Sequence, residues 1–130
     1  MAEKKMEQEF IEQGAKKVSE KDVEKVVDKS EEIKRKFTGR SLARFAEDGQ
    51  LLISIVKDYW AGRYRQVPYG TIAAIVFTLI YVFNPLDLIP DFLPIIGQID
   101  DAAVVAGCLI LVERDLHAYQ QWRENPGNKA

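Results

Sequence analysis

No lysine or arginine occurs between Arg65 and Arg114, and that interval holds two apolar runs separated by a stretch rich in proline and aspartate. From Thr71 to Phe83 every residue is apolar or Thr. A helix of that composition is hydrophobic all round, so it must be buried in protein or in lipid. The stretch that follows, NPLDLIPDFLPIIGQIDD from Asn84 to Asp101, is strongly apolar yet carries Asp87, Asp91, Asp100 and Asp101. Carboxylates among apolar side chains must be hydrogen-bonded, paired or neutralised, because burying one bare costs more than a fold's net stability.

Pro85, Pro90 and Pro94 prohibit one continuous helix through this stretch. Asn84-Pro85 suits a helix cap followed by a first helical position, Pro90-Asp91 would open another brief turn, and Gly97 supplies a bend. Asp100-Asp101 begin a last helix running to about Trp122, apolar in its first half and polar from Glu113. Asn125-Pro126-Gly127 ends it, and the tail 125–130 is expected to fray.

The wording of this motif resembles the YkvA-like family of small bacterial proteins, whose core is a domain of unknown function. PLDLIPDFLP followed by IIG and IDD carries the likeness, which covers about Tyr64 to Val112. The motif positions fall on Pro85, Asp87, Pro90, Asp91, Pro94, Gly97, Asp100 and Asp101, with no departure among them. The resemblance implies a helical core in or on a membrane and brings no catalytic residues with it.

Upstream, the character of the chain changes. Residues 1–40 hold eleven of the eighteen basic and ten of the twenty acidic residues. Ser19 followed by Asp22 has the form of a helix N-cap pair. Val23, Val26, Val27, Ser30, Ile33 and Phe37 then share one stripe at helical spacing, predicting an amphipathic helix from about Glu20 to Phe37. Met6, Phe10 and Ile11 suggest a weaker helix before it, broken near Gly14. This charged arm reads as a helix docked on its own domain, with a partner-binding helix or disorder as the alternatives. Ser41 is a plausible cap for the next helix. Leu42, Phe45, Ala46, Gly49, Leu52, Ile53, Val56 and Trp60 repeat at three- and four-residue intervals, to about Arg65. Gln66 to Gly70 is a turn by its Pro and Gly.

Nothing alternates like a strand. The fold class is therefore all-α: a small helical bundle with a central apolar helical hairpin, 71–83 and 99–122, and a proline-rich acidic connector. The divisions are an arm at 1–40, a core at 41–124 and a tail at 125–130. The apolar runs 71–83 and 102–112 would span only about 20 Å and 17 Å as helices, against roughly 30 Å of bilayer hydrocarbon. Three arrangements stay open: a folded domain with a membrane-associating surface, which is the favoured one, a fully soluble bundle, and an integral hairpin.

The net charge of -2 argues against a general nucleic-acid binder. The single cysteine, Cys108, sits in an apolar run and reads as an inert core thiol. MAEKKMEQEF lacks the apolar stretch of a signal peptide, which points to the cytoplasm or the cytoplasmic face of a membrane. His117 alone reads as a surface or bundle-edge residue, and no phosphate-cradling loop or nucleophile-base pair appears.

Two sets of residues are candidates for function. The aspartates of the motif read first as helix-start caps and as partners for Arg40, Arg44, Arg63 or Arg65. Their alternative is a hard-cation site in which Asp87, Asp91, Asp100 and Asp101 converge on Mg²⁺ or Ca²⁺, as a cation-binding protein or a metal-dependent enzyme. The second set is Tyr59, Trp60, Arg63, Tyr64, Arg65 and Tyr69, an interleaving of aromatic and basic side chains suited to a lipid headgroup belt. The expectation is a non-enzymatic module without a cofactor, whose partner is a membrane surface, a membrane protein or a second copy of the chain.

Overall fold

The computed structural model describes residues 2–39, 41–84 and 100–125, and every regular element among them is helical. The chain runs through α1 (Ala2–Ala15), α2 (Glu20–Asp28), α3 (Ser30–Lys36), a 3₁₀ turn (Ala43–Phe45) and α4 (Ala46–Trp60). It continues through α5 (Tyr69–Phe83), α6 (Asp101–Leu111) and α7 (Glu113–Glu124). The all-α reading holds. The hairpin connector with Pro85, Asp87, Pro90, Asp91, Pro94 and Gly97 lies outside the described residues, as do Arg40 and Pro126-Gly127.

Helix α5 is the axis of the bundle. Every residue from Ile72 to Val82 is buried, as a helix apolar on all sides requires. Helices α1, α2, α3, α4 and α6 all pack against it. Helix α1 lies across both α5 and α6, with Phe10 and Ile11 buried in the common core. The Phe10 ring meets Phe77 edge-on at 5.2 Å and Tyr81 at 5.7 Å. The charged arm is thus one wall of the core.

Gly14 was expected near a break, and α1 does end one residue later at Ala15. Its stronger role is proximity. A Cβ there would lie 2.1 Å from the Phe77 ring, so only glycine lets α1 sit this close to α5. Gly49 does the same for α4, where a Cβ would come within 2.6 Å of the Phe37 ring.

The stripe predicted over 20–37 is present, with Val23, Val26, Ser30, Ile33 and Phe37 buried. It is carried by two helices, α2 and α3, separated by a wide turn at Lys29. The Lys29 amide still donates to the Lys25 carbonyl and the Ile33 amide to the Lys29 carbonyl, both at 2.9 Å. The rotation is therefore preserved and the stripe does not slip. Ser19 begins α2 as expected: its backbone amide donates to the Asp22 carboxylate at 2.9 Å, closing a capping box.

Two expectations for the later helices need correction. Ser41 does not cap α4, which starts at Ala46 after the 3₁₀ turn. The predicted last helix is bent at Val112 into α6 and α7, although the Val112 and Leu116 amides keep their helical acceptors, Cys108 and Val112. Asp100 caps α6 as its position suggested, accepting from the Ala103 amide at 2.7 Å.

Candidate functional site

The C-terminal end of α4 organises the region with the most chemistry. Gly62 adopts φ +83 and stops the helix. The Arg63 amide donates to the Asp58 carbonyl at 2.9 Å and the Gly62 amide to the Tyr59 carbonyl at 3.1 Å, the paired hydrogen bonds of a Schellman motif. The chain then reverses through Arg65 and Val67 to Pro68, which precedes α5. Sequence reading carried α4 on to Arg65, so it missed this stop; the glycine two residues after Trp60 is the signal that marks it.

This turn sorts the six aromatic and basic residues into two groups. Tyr64 points inward and is buried, its ring 5.1 Å from Tyr119 and 4.9 Å from Trp122. Burial and the nearby Asp115 hold its phenol above the ordinary range. Arg63 folds back on its own helix, its Nε donating to Asp58 at 2.8 Å and its guanidinium NH₂ group 2.7 Å from the same oxygen. Asp58 also accepts from the Tyr119 hydroxyl at 2.5 Å. One carboxylate thus ties the end of α4 to α7. Burial first, then the bond to Asp58 and its charge, push the Tyr119 phenol up.

The other four residues turn outward. Tyr59, Trp60, Arg65 and Tyr69 line a cavity of about 310 Å³, closed on its far side by Glu20 and Val23 of α2. Trp60 is 39% exposed and Tyr69 41%. The apolar stripe of α4 was expected to include Trp60, but the helix ends here and the ring stays 39% exposed. The Arg65 guanidinium lies over the Tyr59 ring, 4.5 Å from its centroid. Tyr69 is anchored by its hydroxyl, which donates to the Val18 carbonyl at 3.1 Å. Burial, followed by Tyr59, Asp22 and Glu20, raises its phenol pKa. Glu20 had no place in the sequence reading of this site, because forty residues separate it from Trp60 and only the packing of α2 on α4 brings it in.

The aspartate set divides differently. Asp87 and Asp91 lie outside the described residues. Asp100 is committed to its cap, and Asp101 is half-buried beside it in the first turn of α6. Burial, then the charge of Asp100, raises the Asp101 carboxyl pKa, while Lys36 opposes the shift. Tyr81 faces the same pair, and burial together with Asp101 and Asp100 pushes its phenol up to about 12. Of the arginines proposed as partners, Arg63 pairs with Asp58, Arg44 sits over Phe45 at 5.0 Å and Arg65 over Tyr59, while Arg40 lies outside the described residues. Among the described residues, the positive charge felt by Asp101 is that of Lys36, contributed by the arm. Among the described residues no three His, Cys, Asp or Glu side chains form a group that could hold a metal ion. Cys108 is fully buried, its thiol pushed up to about 12 by burial despite a hydrogen bond with Thr78. His117 is exposed on α7.

A second depression, of about 420 Å³, runs between α4 and the α6–α7 bend. Leu51, Leu109, Ile110 and Leu116 supply apolar walls, and Asp48, Glu113 and His117 edge it. Ile110 is 45% exposed.

These features define a small α-helical bundle with an aromatic and arginine-bearing rim at one helix end. Residues 71–107 match the family model described as Protein of unknown function (DUF1232), which begins at α5 and ends within α6. The chain is also 33% identical over 69 residues to the Uncharacterized membrane protein YkvA of Bacillus subtilis (strain 168). That alignment covers 53% of this chain and 65% of the Bacillus protein. The YkvA-like resemblance is thereby borne out as a similarity, to the family model over residues 71–107 and to the Bacillus protein over less than two thirds of that protein's length. No solved structure matches it. Among the described residues no helix is long and apolar enough to cross a membrane.

Proposed function

We propose that this protein is a non-enzymatic module that associates with a membrane surface through the rim formed by Tyr59, Trp60, Arg65 and Tyr69. The observation that carries the reading is the outward placement of Trp60 and Tyr69, both about two-fifths exposed, beside a guanidinium at one rigid helix end. Amphipathic rings and arginine both favour the headgroup level of a bilayer. Burying the exposed parts of the two rings contributes a few kcal/mol, and a basic residue near an anionic surface about 1 kcal/mol more. That total suits reversible, salt-sensitive binding. The printed name of the Bacillus relative, a membrane protein, supports the same direction.

The experiment is flotation with vesicles of phosphatidylethanolamine and phosphatidylglycerol. The wild-type protein is expected to float with the vesicles and to release as salt is raised. Trp60→Ala and Tyr69→Ala together should abolish flotation without lowering the melting temperature by more than a few degrees, since both rings are substantially exposed. Wild-type protein that stays with the soluble fraction at low salt ends this reading.

The groove beside Ile110 favours a second reading, in which a second copy of the chain is the partner. Light scattering over a range of protein concentrations checks it. A mass that stays monomeric throughout removes it.

A further inference from the structure

The cavity between α2 and the α4–α5 turn presents charges of both signs to one small volume. Glu20 and Arg65 both line it, yet among the described residues neither has an ion-pair partner. Stacking on Tyr59 holds one face of the Arg65 guanidinium, which leaves the edge donors of its fork available to an oxyanion. Glu20, in the first turn of α2, offers an acceptor for an ammonium group. Trp60 and Tyr69 supply ring faces of the kind that attract alkylammonium ions, and the Tyr69 ring is fixed by its bond to Val18. A lone anion would be drawn to Arg65 but repelled by Glu20, and a lone cation the reverse. A molecule carrying a phosphate and an ammonium a short link apart satisfies both. The volume of about 310 Å³ stands at the lower end of small-molecule sites, which run from roughly 300 to 1,000 Å³.

We infer that this cavity is a binding site for a zwitterionic phospho-ammonium headgroup, with Arg65 on the phosphate, Glu20 on the ammonium and Trp60 and Tyr69 against the link between them. The inference deepens the membrane-surface reading, on which it rests for its source of ligand: the headgroup of a zwitterionic phospholipid. It also adds headgroup selectivity to a rim that would otherwise respond only to apolar burial and charge.

The test titrates phosphoethanolamine, phosphocholine, inorganic phosphate and ethanolamine into the full chain, following the Trp60 indole and Arg65 Nε resonances by NMR. Saturable shifts at both positions are expected with phosphoethanolamine or phosphocholine, at concentrations about tenfold or more below those needed for inorganic phosphate. For phosphoethanolamine such a margin corresponds to one charge-assisted hydrogen bond, and for phosphocholine, which has no N–H, to charge and ring-face attraction. Glu20→Gln should weaken phosphoethanolamine by about the same factor while leaving inorganic phosphate equal or tighter. A merely structural role for Glu20 would not change that ratio. Arg65→Ala should abolish binding of both phosphate compounds, with melting temperature confirming that each variant is folded.

Inorganic phosphate binding as tightly as the zwitterions, or no shift at Trp60 and Arg65, overturns the inference. Flotation separates the two readings. Vesicles that bind while soluble headgroups leave the cavity unperturbed would remove the headgroup site and keep the membrane surface. Headgroups that bind while vesicles do not would keep the site and assign it to a free phosphorylated amino alcohol.

Discussion

Helices α5 and α6 are nearly matched in apolar character, yet they meet opposite fates. Every residue of α5 from Ile72 to Val82 is buried, whereas α6 buries only Val104, Val105, Gly107 and Cys108. Its other face, through Ala102, Ala103, Ala106 and Leu109, is only partly buried among the described residues, and Ile110 is exposed. The difference comes from position. Among the described residues five helices pack on α5, while α6 packs chiefly on α1 and α5. Apolar composition states that a helix needs cover; it does not state which elements supply it.

The sharpest test of that contrast removes one large side chain from each helix. Leu79→Ala should lower stability by about 2–5 kcal/mol, since it empties fully enclosed space. Ile110→Ala should cost under about 1 kcal/mol, because much of that side chain already meets solvent. Urea denaturation measures both. Equal losses would mean that the outer face of α6 is covered in solution.

Glycines at the contacts of α1 with α5 and with α6 repeat the comparison on a smaller scale. Gly14→Ala places a methyl 2.1 Å from the Phe77 ring of α5, and a loss of about 1–3 kcal/mol is expected. Gly107→Ala on α6 meets the Glu7 Cβ at 3.2 Å, a mild overlap that a shift of α1 by a few tenths of an ångström relieves. There the gain in helix propensity, about 1 kcal/mol, should offset the crowding and leave stability within about 0.5 kcal/mol of wild type. Thermal melts of the two variants decide it.

Tyr119→Phe tests how the edge is tied down, by removing the hydroxyl that reaches Asp58 from α7. A loss of about 1–2 kcal/mol is expected, with earlier hydrogen exchange in α7 than in α5. Unchanged protection of α7 would show that the aromatic packing of Tyr64, Tyr119 and Trp122 holds the helix by itself.

The smallest effect concerns Asp101 on α6. Burial and Asp100 raise its pKa above the unfolded value, so the folded state binds this proton more tightly. The stability that follows is present at acid pH, below the ordinary Asp value of about 3.9, and is lost as pH rises through the raised value. Asp101→Asn removes that loss. Its melting temperature relative to wild type should therefore improve as pH goes from about 3 to 7. A gap that stays constant, or moves the other way, contradicts the burial of this carboxylate.

What could be read from the chain beforehand was the local part of this architecture. The Ser19–Asp22 cap, the stripe from Val23 to Phe37, the all-round apolar α5 and the Asp100 cap each depend on residues within a few positions of one another. The turn at Lys29 and the bend at Val112 were not legible, because neither position holds a glycine or proline and both keep the helical rotation. The candidate site was legible as six residues but not as two groups. Whether an aromatic ring in that run faces inward depends on Tyr119 and Trp122 of α7, some sixty residues away, and on Glu20 and Val23 of α2.

The left-handed glycine that ends α4 fixes a count as well as a direction. Between Trp60 and Tyr64 the backbone has just enough residues to turn one ring to water and plant the next against α7. Lengthening or shortening that loop by a single residue would pull Tyr64 off Tyr119 and Trp122 and leave Trp60, fixed by α4, where it is, with composition almost unchanged. In a chain like this, an insertion there would be felt more than most substitutions.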